Sequence, residues 1–290
     1  MAFRSRTLNS VSPDAPVERE SRTTEGMTDI SRTLFLPLFF RAQETREGGI
    51  INDPEAVRIV DSLGYENRNF ILDREMQLIM ALRTEVLDGI TARYIADCRR
   101  QGHQPVIVNL GAGLDTREQR FPEAQWYQVD LDAPMRLRSR YIKSSRATHI
   151  TGSIFEEGWT RDIVHRDHAL LIVEGVLMYF DTPTVRRFFD IVARDFHSPL
   201  VAFDALARRY STLQTHQSVD VDRAPFRCGV SSSADVVHFG LGFAPVAEYG
   251  YYQAYLAHAD ELSQRYRVIR FDATHKVYLV KRLAGAVAPA

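Results

Sequence analysis

The longest apolar periodicity lies in the first third of the chain. Across residues 73–99, Met76, Ile79, Met80, Val86, Leu87, Ile90 and Tyr94 recur at helical spacing, which predicts one long helix. Gly102 stands where such a helix stops. A shorter helix is expected after Asp53-Pro54, with proline at the first helical position and Val57, Ile59 and Val60 following. The period then changes. Val106-Ile107-Val108-Asn109-Leu110 is a β-branched run that stops at Gly111, and Tyr127-Gln128-Val129-Asp130 is a second short strand ending on an acid. Residues 148–151 form a weak third, residues 169–173 a fully apolar fourth, and residues 200–203 a fifth ending at Asp204. Helical stretches separate them. The clearest begins at Asp181-Thr182-Pro183 and carries Val185, Phe188, Phe189, Val192 and Phe196. Continuous apolar strands that alternate with helices predict an α/β fold with a parallel, doubly wound sheet. Two late runs, 246–252 and 277–281, are expected to close the sheet edge and bring it to seven strands.

The remaining segments set the domain plan. Residues 1–26 are polar and aperiodic and read as a tail, as do residues 284–290. Residues 27–104 form an N-terminal helical cap and residues 105–283 the core. The irregular, polar stretch 208–240 is an insertion over the sheet's carboxyl edge, placed as a lid. Apolar residues make up 45% of the 290 and charged residues 25%, which excludes disorder over most of the chain. The formal charge of −1 gives no global pull toward nucleic acid or an anionic membrane. The longest early apolar run, 34–40, is far short of the roughly 20 residues of a spanning helix. Cys98 and Cys228 are too few for a disulfide framework and too isolated for a zinc site, so no metal is expected and the cytoplasm is the default compartment.

In a doubly wound sheet, ligands bind beyond the carboxyl ends of the strands. The informative residues are therefore Gly111-Ala112-Gly113, Asp130, Gly152-Ser153, Glu174-Gly175 and Asp204. The glycine triplet is either a plain strand-to-helix turn or a place where backbone approaches a ligand. It lacks the third glycine of the dinucleotide fingerprint, because Thr116 stands there. Asp130 falls 19 residues after Gly111, where an acid can accept hydrogen bonds from both ribose hydroxyls. Asp132, before Ala133-Pro134, is the better cap for the next helix, which leaves Asp130 for a ligand. Glu174 ends a buried strand and needs a partner, either a salt bridge within the fold or a cationic ligand. Arg83 lies on the apolar stripe of the long helix and needs an anion, either an internal carboxylate or that of an amino-acid-like ligand. Together these parts fit S-adenosylmethionine (SAM). The glycine turn would lie against its methionine portion, Asp130 would hold the ribose and Arg83 the carboxylate.

Longer text supports that choice. Asn109-Leu110-Gly111-Ala112-Gly113-Leu114-Asp115-Thr116-Arg117, Val129-Asp130-Leu131 and Glu174-Gly175-Val176-Leu177-Met178-Tyr179-Phe180 follow in order. Upstream stand Leu38-Phe39-Phe40-Arg41-Ala42, Asn52-Asp53-Pro54-Glu55-Ala56-Val57 and Arg83-Thr84. From about residue 33 to 252 the chain resembles the leucine carboxyl methyltransferase family, in its tetracenomycin-biosynthesis-type, polyketide O-methyltransferase branch. The resemblance implies a class I SAM-dependent methyltransferase, Rossmann-like, with an N-terminal helical cap. It implies cofactor contacts at Arg83, Gly111, Asp130, the Gly152-Ser153 turn and Glu174, with Arg41 near the cofactor carboxylate. Neighbouring positions of the same motifs are Ala112, Gly113, Leu131, Ile154 and Gly175. The family often has Asp-Leu where this chain has Ser153-Ile154, and often Trp where it has Cys228.

The acceptor side is less defined. A carboxylate acceptor, with a pKa near 4, needs no base, whereas a phenol, near 10, gains from one. His216 in the insertion is the best-placed base, with His197 and His238 behind it, and each is otherwise a surface histidine. Tyr179 faces the acceptor or packs under the next helix. Tyr249, Tyr251, Tyr252 and Tyr255 are assigned to the sheet edge rather than to an acceptor pocket. The leading function is SAM-dependent O-methylation of a small natural-product acceptor. The alternatives are a protein of this fold that binds SAM without methylating, and a nicotinamide oxidoreductase, against which the missing glycine counts.

Overall fold

The computed structural model describes residues 26–28, 31, 33–63, 73–143, 145–208, 225–236, 242–266 and 275–283. The expected tails fall outside this set apart from Gly26, and so do His216 and His238. Helix α1 (Phe35–Arg46) and helix α2 (Pro54–Leu63) form the start of the cap. Asp53 caps α2 by accepting from the Ala56 amide at 3.0 Å. Helix α3 (Arg74–Arg100) is about 40 Å long at 1.5 Å per residue. The Asp73 carboxylate starts it, accepting from the amides of Glu75 and Met76 at 3.0 and 3.1 Å, and Gly102 follows its end with a positive φ.

Alternation within the strands decides the layers. In β1 (Val106–Leu110), Val106, Val108 and Leu110 enter one core and Ile107 the other. Residues Leu170–Val173 make β4, with Leu171 and Val173 in the first core and Leu170 and Ile172 in the second. The first core is closed by helix α6 (Thr182–Asp195) through Val185, Phe188, Phe189 and Val192, and the second by α3. The Asp181 carboxylate caps α6 at 3.0 Å from the Thr184 amide. With β2 (Gln125–Asp130), β3 (Thr148–Thr151), β5 (Leu200–Leu206), β6 (Phe243–Gly250) and β7 (His275–Arg282), the sheet has the order β3-β2-β1-β4-β5-β7-β6. The first five strands are parallel, and β7 runs antiparallel between β5 and β6. A short turn of helix, α4 (Arg117–Arg120), follows β1, α5 (Asp132–Tyr141) follows β2, and a short α7 (Ser233–Val236) precedes β6. A third core, built from α1 and α2 with Leu114, Leu137 and Ile142, seats the cap on the β1–β2 half of the molecule. Among the described residues no helix is long and apolar enough to cross a membrane.

Four expectations are corrected. Asp204 does not end β5; the strand runs on to Leu206 because β7 pairs with it as far as Leu206↔His275. The run expected at 246–252 starts at Phe243 and stops at Gly250, and Tyr251 opens helix α8 (Tyr251–Ala257), followed by α9 (Ala259–Arg265). Tyr251, Tyr252 and Tyr255 are therefore helical, and only Tyr249 lies on the sheet edge. Asp132 does not cap α5: it is the first helical residue and pairs with Arg136, one turn on. Finally, the described end of the insertion is not simply polar. Cys228, Val230 and Val236 join the first core.

Candidate active site

The carboxyl ends of β1 to β5 open into a cavity of about 380 Å³, roofed by α1 and the N-terminal half of α3. Gly111 begins the turn after β1 with φ +72°, and a Cβ there would sit 2.4 Å from Val176 Cγ2, so only glycine fits. The turn brings the Gly113 amide to Asp130 Oδ2 at 2.8 Å, and the Leu131 amide donates to Oδ1 at 2.7 Å. Burial pushes the Asp130 carboxyl above its usual range, and these two amides pull the other way. Each oxygen holds one backbone amide and keeps a lone pair. Asp130, Gly111, Ala112, Gly113, Leu131, Gly152, Ser153, Ile154, Glu174 and Gly175 all line the same cavity.

Arg83 reaches this cavity from α3 and is met by protein acids. Its Nε lies 2.9 Å from Glu174 Oε1, close but not aligned as a hydrogen bond, and its Nη1 donates to Asp204 Oδ2 at 2.9 Å. Asp204 Oδ1 accepts from the Gly175 amide at 2.6 Å. Burial raises the Asp204 carboxyl despite Arg83, whereas for Glu174 burial is outweighed by the Arg83 and Arg117 cations and its carboxyl is lowered. Arg83 thus has internal carboxylates while still lining the cavity. Arg41 lines it too, with Nε on Asp53 and Nη2 on the Leu114 carbonyl, both at 2.9 Å.

The sequence reading missed the arginine lattice behind these residues. Arg117, almost wholly buried, donates to Asp88 at 2.6 Å, Asp115 at 2.5 Å and Glu174 at 2.9 Å. Arg120 joins Asp88 to Asp53, and the Thr116 hydroxyl donates to Asp53 at 2.5 Å. Thr116, the position where a dinucleotide site has glycine, is therefore a rivet between cap and core. Two arginines three apart just after the glycine turn were the available signal.

On the acceptor side, Tyr179 lies in a 3-10 turn (Leu177–Tyr179) on the cavity wall, its ring 5.3 Å from Phe226. Burial raises its phenol, and it shares a hydrogen bond with Thr33. Tyr251 and His275 also line the cavity and stack at 5.9 Å; neither was assigned there. His197 is exposed and precedes β5, at the amino edge of the sheet, so it is no base for this site.

The cavity suits SAM on its own terms. Asp130 offers two acceptor oxygens at the mouth of β2, the glycine turn leaves its backbone bare, and Leu131, Ile154 and Phe155 supply apolar walls for a base. Solved structures of similar shape include magnesium protoporphyrin IX methyltransferase from Synechocystis PCC 6803 with bound SAM, at 13% identity over 95% of this chain and 100% of that one, TM-score 0.48. A SAM-dependent methyltransferase from Clostridium acetobutylicum ATCC 824 matches at 12% identity over 67% of this chain and 91% of that one, TM-score 0.45. LepI in complex with SAM matches at 8% identity over 67% and 46%, TM-score 0.45. No curated protein matches the chain. The family model for leucine carboxyl methyltransferase matches residues 35–193, more than half of the chain. That match begins at α1 and ends inside α6, so it takes in the cap, the glycine turn, Asp130 and Glu174 together. The chain belongs to the leucine carboxyl methyltransferase family of SAM-dependent methyltransferases.

Proposed function

We propose that this chain methylates an oxygen, carboxylate or phenolic, of a small polyketide-like acceptor, working in the cytoplasm. The observation that carries this reading is Asp130: a half-buried carboxylate at the end of β2, held by two backbone amides and lining the cavity. In this reading Asp130 and Leu131 hold the ribose, and Gly152, Ser153 and Ile154 flank the base. Gly111, Ala112, Gly113, Glu174 and Gly175 line the amino-acid portion, with Arg83 and Arg41 toward its carboxylate. Bound there, SAM supplies a methyl group on a positively charged sulfur. The protein's own part is alignment, worth up to about 7–11 kcal/mol in well-oriented intramolecular reactions. The cap helices α1 and α3 keep water out while Tyr179, Phe226 and Tyr251 wall the acceptor side. The free, buried thiols of Cys98 and Cys228 fit a reducing compartment.

The test is methyl transfer from labelled SAM to a panel of aromatic acids and phenols, followed across pH. A carboxylate acceptor gives turnover that is flat above about pH 6. A phenol helped by histidine gives turnover rising through roughly pH 6–7. Replacement of His216 by Gln removes that rise if His216 is the base and leaves the profile unchanged if it is not. Transfer to neither class overturns the reading.

A further inference from the structure

The cavity has two ends. Asp130 and Ile154 stand at the β2 and β3 side, whereas Asp204, Leu206, His275 and Tyr251 stand at the β5 and β7 side. Four strand spacings separate β2 from β7, roughly 19 Å at about 4.8 Å each. One end is accounted for by the proposed cofactor contacts. The other holds Tyr251, which lies outside the family match and which no cofactor contact uses.

Tyr251 is built to hold still. It is 3% exposed, packs in the core beneath α3, and its ring is stacked on His275 at 16° between planes. Its hydroxyl has no hydrogen-bond partner among the described residues, and it is not sealed off either, since the residue lines the cavity. A hydroxyl open to the cavity can donate to whatever binds there. The charged groups around it are Arg83 from α3, Glu174 after β4 and Asp204 from β5, with Arg83 ion-paired to both acids. Burial and the Asp204 and Glu174 carboxylates hold the Tyr251 phenol well above its usual range, with Arg83 opposing. It is therefore a permanent donor and not a base.

We infer that the Tyr251 hydroxyl is the donor that holds the non-reacting oxygen of a carboxylate on the methyl acceptor, with His275 fixing its ring. The inference rests on the methyltransferase reading and narrows its acceptor. A carboxylate has two oxygens, and a single neutral donor can orient one while leaving the charge on the other. An arginine in the same place would engage both.

The test uses 2-naphthoate as the probe acceptor and S-adenosylhomocysteine as the cofactor product, titrated by calorimetry into wild type and Tyr251→Phe. The variant keeps the ring and loses one hydroxyl that makes no hydrogen bond among the described residues. With S-adenosylhomocysteine saturating, 2-naphthoate binding should weaken by tenfold or more in the variant, as for a lost hydrogen bond to a charged group. Affinity for S-adenosylhomocysteine and the melting temperature should stay the same. Equal 2-naphthoate affinity in both proteins overturns the inference, and so does absence of 2-naphthoate binding to wild type. Weakened S-adenosylhomocysteine binding in the variant overturns it as well, by assigning Tyr251 to the cofactor. Wild type that binds no S-adenosylhomocysteine would instead sink the methyltransferase reading itself. An independent arm compares 2-naphthoate with 2-methylnaphthalene on wild type: at least tenfold preference for the acid is expected, and equal affinity contradicts the role.

Discussion

Arg83 shows how much one side chain can be asked to do. It sits between Glu174 and Asp204, each at 2.9 Å, with all three side chains largely buried. Removing one member of such a cluster strands the charges it neutralised, at a cost of about 3–5 kcal/mol. Arg83→Met should therefore destabilise the fold by that amount in urea unfolding at pH 8, besides weakening SAM binding. The sign of the pH dependence follows from Asp204. Its carboxyl is already raised by burial, and loss of Arg83 raises it further. A raised carboxyl favours the folded state when protonated and penalises it as pH climbs through the folded value. The deficit should thus be smaller at pH 5 than at pH 8. Equal deficits at both would mean that Asp204 carries no charge to strand. From the sequence, Arg83 was legible as a cation in need of an anion; which anion was not, because Asp204 lies 121 positions away and meets it only once β5 and α3 are packed.

At the scale of elements, the joint between cap and core is a lattice of charge rather than an apolar seam alone. Asp53 caps α2 and also takes Arg41, Arg120 and Thr116. Burial raises its carboxyl, but the Arg41 and Arg120 cations outweigh this and the net shift is downward. Asp53→Asn should cost about 3–5 kcal/mol at pH 7, and the amides of α1 and α2 should exchange with solvent faster than those of β1 and β4. A lowered carboxyl lends stability above its unfolded pKa and loses it as pH falls through the folded value. The gap between wild type and variant should therefore close below about pH 4. Uniform exchange across both regions would contradict a local joint. Most elements were legible because capping and period speak locally: Asp53-Pro54, Asp73 and Asp181 mark helix starts, and β1 and β4 are unbroken apolar runs. The errors came where a distant partner decides. β5 extends past Asp204 because β7 pairs with it, and β6 ends at Gly250 because Tyr251 turns inward to the cavity. Local apolarity alone does not separate Tyr249 on a strand from Tyr251 on a helix.

Across the whole molecule, the two wings are held to one cavity. Glu44 on α1 is fully buried and accepts from the Tyr266 hydroxyl at 2.5 Å and Gln77 at 2.8 Å, and it pairs with Arg265 at 3.1 Å. The N-terminal cap is thereby tied to α3 and to the end of α9 near the C-terminal strand. A ligand bound in the cavity touches cap, α3 and sheet together, so it should stabilise the fold as a unit. At a hundred times its dissociation constant a ligand adds about 2.7 kcal/mol. The central claim is that this cavity holds SAM through Asp130, and calorimetric titration of S-adenosylhomocysteine into wild type and Asp130→Ala tests it most directly. The expected result is one molecule bound per chain in wild type and an affinity about tenfold to a hundredfold weaker in the variant, as for lost charge-assisted hydrogen bonds. Equal affinity in the two proteins, or no binding to wild type, would contradict it.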